Sequence, residues 1–146
     1  MPIKDFEQAI LFREFQPDPN RPSIWLPLLE VTLVSPTYGP NNLLLYLDTG
    51  ASVTTLKAEL YPLIGLQRWD EGQPVQTSTG GGGVTVYQYT ATLQIFGKTI
   101  VCPIHLSASL VTLPPFVGLL GRDTVFEEFG FGFWEGTHEL YVTGNP

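Results

Sequence analysis

The chain has 146 residues, the commonest size for one domain, and its 43% hydrophobic and 14% charged residues argue against wholesale disorder. A formal net charge of −7, with seven scattered Lys and Arg, argues against nucleic acid as a partner, because phosphate binding needs clustered cations. Fifteen Gly and thirteen Pro, with no long stretch free of either, disfavour long helices and favour short strands joined by turns.

In chain order, residues 1–15 place Phe6, Ile10, Leu11 and Phe12 at a spacing that suits either a short helix or an extended strand. Lys4, Asp5, Glu7, Arg13 and Glu14 surround an apolar core of only residues 9–12, unlike a secretory signal, and no run reaches transmembrane length. The expectation is a soluble, cytoplasmic protein without membrane partners. Residues 16–22 contain Pro17, Pro19 and Pro22 and read as an extended connector. An arm with connector over 1–20 and a body over 21–146 follow. Residues 24–34 read as a strand, alternating at Leu29, Val31 and Leu33 against Glu30 and Thr32. The turn residues 35–42 return this strand as a hairpin into 43–47, which delivers Asp48.

Residues 53–56 read as an outgoing strand and 57–66 as a helical turn broken at Pro62. A polar turn at 69–72 leads to extended residues 73–79, four consecutive glycines and a long strand over 84–95. A tight turn at 96–98 opens a strand over 99–106, in which Pro103 marks an edge or a bulge. After Pro114 and Pro115 the chain is apolar to Gly121. Asp123 is the expected N-cap of a short helix through Phe129, ended by Gly130, before a terminal hairpin over 131–142. The expected fold is all-β with one short C-terminal helix. Cys102 has no partner for an internal disulfide, which suits a reducing compartment, and reads as a small buried hydrophobe. His105 and His138 lack a ligand pattern and read as ordinary strand or loop residues, so no metal or cofactor is expected.

The chemistry concentrates in residues 43–56, where an unbroken apolar run ends in Asp48, Thr49, Gly50, Ala51 and Ser52. A strand apolar on both faces is buried, so a carboxylate at its end needs hydrogen bonds, a shift in its ionisation, or both. Asp-Thr-Gly after an apolar strand is the active-site motif of aspartic proteases. Two further features follow it in order: glycines Gly80, Gly81, Gly82 and Gly83 after Thr79, and Leu119-Leu120-Gly121 followed by Arg122. From about residue 21 to the end the chain resembles the retropepsin-like family, the single-lobe, retroviral-type aspartic proteases. The resemblance implies a closed-barrel-like acid-protease fold with Asp48 catalytic and Thr49, Gly50, Ala51 and Ser52 supporting its turn. It also implies a flap tipped by residues 79–83, and Leu119, Leu120, Gly121 and Arg122 packed beside the active-site loop.

Peptide hydrolysis without a metal or a covalent intermediate needs a base to activate water and an acid to protonate the carbonyl and then the amine. Two carboxylates roughly 3 Å apart supply both, since they share one proton. Asp5, Asp18, Asp70 and Asp123 lack the turn that follows Asp48, so the second carboxylate is expected from another chain, in a homodimer acting on a peptide or protein substrate. Two departures from the retroviral pattern stand out. Ser52 occupies a position where an Asp commonly pairs with the counterpart of Arg122, and the chain continues past the helix into a second hairpin. Two other readings fit the residues: a non-catalytic dimeric module of the same fold that binds extended peptides, and a monomeric barrel holding a small apolar ligand.

Overall fold

A computed structural model describes residues 8–79, 82–112 and 116–144, with the backbone alone described at Thr79. Residues 1–7, Gly80, Gly81, Pro114 and Pro115, to which the sequence reading assigned roles, lie outside the described residues.

The chain is organised by alternation. In β4 (Leu28–Ser35) and β5 (Gly39–Leu47), Leu29, Val31, Leu33, Leu43, Leu45 and Leu47 are buried, while Leu44 and Tyr46 on the other face of β5 are half-buried. The apolar run before Asp48 is thus covered fully on one face only. The turn between these strands is shorter than residues 35–42. Ser35 already pairs with Gly39, at φ +71°, and the Ser35 hydroxyl accepts the N–H groups of Thr37 and Tyr38.

The remaining strands extend this pair. β6 (Thr54–Lys57) leaves the Asp48 turn, and β7 (Gln73–Thr79) forms a hairpin with the long β8 (Gly82–Ile95). A two-residue turn with both Phe96 and Gly97 at positive φ joins β8 to β9 (Lys98–Ser107). The three-residue β10 (Gly118–Leu120) inserts parallel to β5 and antiparallel to β6. Among the described residues these strands make one seven-stranded sheet in the order β4-β5-β10-β6-β9-β8-β7. β4 also pairs with β8, Thr32 opposite Gln94 and Leu33 opposite Leu93, so the ladder returns on itself. The ring encloses Val31, Leu33, Leu45, Leu56, Leu93, Ile95, Ile104, Leu106 and Leu120, each at most 1% exposed. The protein is mainly β, with one α-helical turn among the described residues.

Several local expectations are corrected. The strand over 24–34 is two strands, because the chain breaks at Pro27: β3 (Ile24–Leu26) leaves to pair with β2 (Arg13–Phe15), and the Pro27 carbonyl accepts the Leu47 N–H. Pro62 does not break the segment after β6. It lies inside a 3₁₀ helix over Ala58–Ile64, and its carbonyl accepts the N–H of Gly65, the left-handed cap. The helix expected through Phe129 is a single turn, α1 (Val125–Glu128). Its N-cap is Thr124, at φ 66°, with no side-chain capping bond, and Phe129 is already extended in β11 (Phe129–Trp134). Pro103 sits in the half of β9 that pairs with β8 alone, one residue before β6 joins at Ile104, so it is at an edge within an interior strand.

The described part of the arm is integrated into the body. β1 (Gln8–Leu11) pairs with β12 (Glu139–Gly144), which pairs with β11, and Phe12 is 3% exposed within the core. Trp25 stacks on His138 with ring centroids 4.5 Å apart. Among the described residues, no helix is long and apolar enough to cross a membrane.

Cys102 is 1% exposed in β9, and burial, with a smaller contribution from the charge of Asp123, pushes its thiol up to about 11. The native protein is therefore expected to resist iodoacetamide at pH 8 and to react once unfolded in guanidinium. Mass spectrometry of pulse-labelled samples checks this, and rapid labelling of the native chain would show that β9 is not packed as described.

Candidate active site

Asp48 is held by backbone geometry on both sides. Leu47 is buried and pairs with Leu120, and the Asp48 N–H donates to the Leu120 carbonyl (3.0 Å). The chain then folds sharply. The Gly50 N–H donates to Asp48 Oδ1 (2.9 Å), and the Ala51 N–H to the Asp48 carbonyl (3.2 Å). A Cβ on Gly50 would stand 3.2 Å from the same Oδ1, so glycine gives the carboxylate room against the turn. Asp48 Oδ1 thus accepts a hydrogen bond from its own turn, and the residue is half-buried.

The apolar-Gly element braces this turn. Arg122 donates its N–H to the Ala51 carbonyl (2.9 Å) and Asp123 to the Ser52 carbonyl (2.8 Å), continuing the contact begun by β10. A Cβ on Gly121 would lie 2.5 Å from the Val53 carbonyl carbon, and one on Gly118 2.6 Å from the Thr55 carbonyl oxygen. Only glycines permit this approach of backbone to backbone. The Gly121 N–H, buried by the contact, donates to Thr54 Oγ1 (3.0 Å). Leu119, Leu120, Gly121 and Arg122 therefore stand beside the Asp48 turn, with Leu120 in the core and Leu119 half-buried.

At the level of side chains, Thr49 and Arg122 add no bond to the turn among the described residues. Thr49 is exposed, and no hydrogen bond of its hydroxyl is found among the described residues, so the turn is locked by Gly50, Ala51 and, from a distance, Thr54. The Arg122 side chain is exposed and makes no ion pair among the described residues; with Ser52 also exposed, the two segments are joined through the backbone.

A cavity of about 440 Å³ opens beside Asp48. Gly50, Ala51, Ser52, Val53 and Thr55 form one side of it, and the β7–β8 hairpin contributes Thr77, Ser78, Val84 and Val86. β9 adds His105 and Ser107, and Leu110 and Leu119 complete the lining. Thr79 pairs with Gly82, whose φ of +116° few L-residues adopt, and Gly83 follows in β8. The hairpin carrying Gly82 and Gly83 thus borders the cavity that holds Asp48. A second hollow, about 270 Å³, lies against Asp48 and Thr49 and is walled by Pro27, Tyr46, Leu47, Phe133 and Glu135. Burial, then the charges of Asp48 and Glu135, raise the Tyr46 phenol above its usual range.

The sequence reading missed Thr54, whose buried hydroxyl was indistinguishable from any strand threonine. It also missed His105 and Ser107, although their i, i+2 spacing puts them on the face of β9 opposite Ile104 and Leu106. Among the described residues, no group of three or more His, Cys, Asp or Glu is placed to hold a metal ion.

Replacing Thr54 by valine preserves shape but leaves the Gly121 N–H without its acceptor. A loss of about 1–3 kcal/mol is expected in chemical denaturation, with Thr54→Ser losing less. Equal stability of Thr54→Val and wild type would show that this bond does not hold the turn.

No protein-family model matches the chain, nor does any curated protein.

Proposed function

We propose that the protein is a retropepsin-like aspartic endopeptidase, active as a homodimer, in which the Asp48 carboxylates of two chains activate one water molecule. The observation that carries this reading is the Asp48-Thr49-Gly50 turn. It presents a carboxylate in the lining of a cavity while its backbone is hydrogen-bonded to β10 and to residues 121–123. A turn serving only as a chain reversal has no need of the close approach that Gly118 and Gly121 permit.

The chemistry requires the pair. One Asp48, ionised, takes a proton from water as its oxygen attacks the scissile carbonyl carbon; the other, protonated, gives its proton to the carbonyl oxygen. The tetrahedral diol then collapses, the C–N bond breaks, and the amine leaves with a proton returned by a carboxyl group. The two groups titrate as one unit. The second hollow supports the dimer. Phe133 (36% exposed) and Pro27 flank Thr49 there, and Trp134 (63% exposed) follows on β11, an apolar edge suited to contact with a second copy. The β7–β8 hairpin suits a flap closing over an extended peptide. The buried, unpaired thiol of Cys102 is compatible with a reducing, cytoplasmic setting.

The experiment is cleavage of a mixed peptide library at several pH values by wild type and Asp48→Asn. Wild type is expected to cleave, with activity falling as rising pH ionises both carboxylates, and the variant to lose about 10²–10⁴-fold or more while sedimenting as the same dimer. Undiminished cleavage by Asp48→Asn would sink the mechanism. Peptide binding without cleavage by wild type would point to a non-catalytic module of the same fold.

A further inference from the structure

The cavity beside Asp48 has an uneven lining. Strand register places a transverse row on one face of the sheet: Leu119 of β10 opposite Thr55 of β6, Thr55 opposite His105 of β9, and His105 opposite Gln88 of β8. Leu119, Thr55 and His105 all line the cavity, and Val84 and Val86 lie on the same face of β8 as Gln88. Polar and apolar side chains are mixed along this lining, and His105 is its one imidazole. His105 is only 8% exposed, and its Nε2 stands 3.2 Å from Gln88 Oε1. An amide oxygen only accepts, so the imidazole donates through Nε2, and in the neutral ring Nδ1 is an acceptor. No partner for Nδ1 is found among the described residues, and no buried side-chain nitrogen or oxygen there lacks one, so Nδ1 keeps access to solvent in the free chain. Burial lowers the His105 pKa and so favours that neutral form. Among the residues lining the cavity, Asp48 carries the one carboxyl group, and no Lys or Arg is present to receive an acidic group.

We infer that His105, oriented by Gln88, is a specificity-determining residue that makes this cavity select substrates presenting an uncharged hydrogen-bond donor, a side-chain amide or hydroxyl, close to the scissile bond. This rests on the endopeptidase reading above. A leucine side chain would leave the imidazole acceptor buried and unmet, whereas the amide of Asn or Gln, or the hydroxyl of Ser or Thr, satisfies it. An acidic side chain meets Asp48 and no cation.

The test is the cleavage of a peptide library, randomised around the scissile bond, by the full-length dimer and by His105→Leu, with thermal unfolding confirming that the variant is folded. Wild type is expected to favour Asn, Gln, Ser or Thr over Leu and Val at one position by about tenfold or more in kcat/KM. In His105→Leu that ranking should invert, with peptides carrying Leu cleaved best. An unchanged ranking in the variant, or a wild-type preference for Leu and Val at every position, overturns the inference while leaving the endopeptidase reading intact. If wild type cleaves no peptide, that reading has failed, and the same library is scored by affinity selection. Enrichment of amide or hydroxyl side chains that His105→Leu abolishes then supports the subsite, and its absence overturns it.

Discussion

Everything around Asp48 depends on how closely β10 is allowed to approach the strands on either side of it. Leu120 takes the Asp48 N–H, Gly121 gives its own N–H to Thr54, and residues 122 and 123 pair with the carbonyls of Ala51 and Ser52. These bonds form because Gly118 and Gly121 have no Cβ to collide with the backbone of Thr55 and Val53. Three strand residues thereby complete the ring between β5 and β6 and clamp the turn that carries the carboxylate. The position of the charged group is set by main-chain contacts, which are less adjustable than side-chain packing, and catalysis profits from geometry fixed in advance.

The barrel around this clamp was largely legible in the sequence, because burial of one face imposes period two wherever a strand is half-covered. Residues 29–33 and 84–95 announced their strands that way, and Phe96-Gly97 announced its turn. What the sequence hid were local outcomes of competition. Pro62 fits a 3₁₀ helix as readily as it ends an α-helix, since the short segment asks little of its missing N–H. Asp123 resembled a helix cap, yet its N–H is engaged with Ser52, its carboxylate accepts the Thr124 hydroxyl, and the cap falls to Thr124. Residues 8–11 were ambiguous because their partner, β12, lies at the far end of the chain, where no local pattern could reveal it.

The site was legible in its backbone and obscure in its side chains. Asp48, Gly50 and Gly121 have roles dictated by main-chain geometry, and a short motif carries that information. Thr49 and Arg122 have roles that depend on what faces them, and each is exposed in the isolated chain. His105 shows the converse. Alone in the sequence it is an ordinary strand residue, and only the register across β10, β6, β9 and β8 brings it to the cavity wall.

The described residues offer one such carboxylate turn, and the proposed hydrolysis by shared protonation needs two, which calls for a composite site at a twofold axis. A peptide carrying a secondary hydroxyl in place of the scissile amide mimics the tetrahedral intermediate and must engage both carboxylates at once. Its binding stoichiometry, measured by titration calorimetry, therefore reports how many chains build one site. The account predicts about one ligand for every two chains; saturation at one ligand per chain would contradict it.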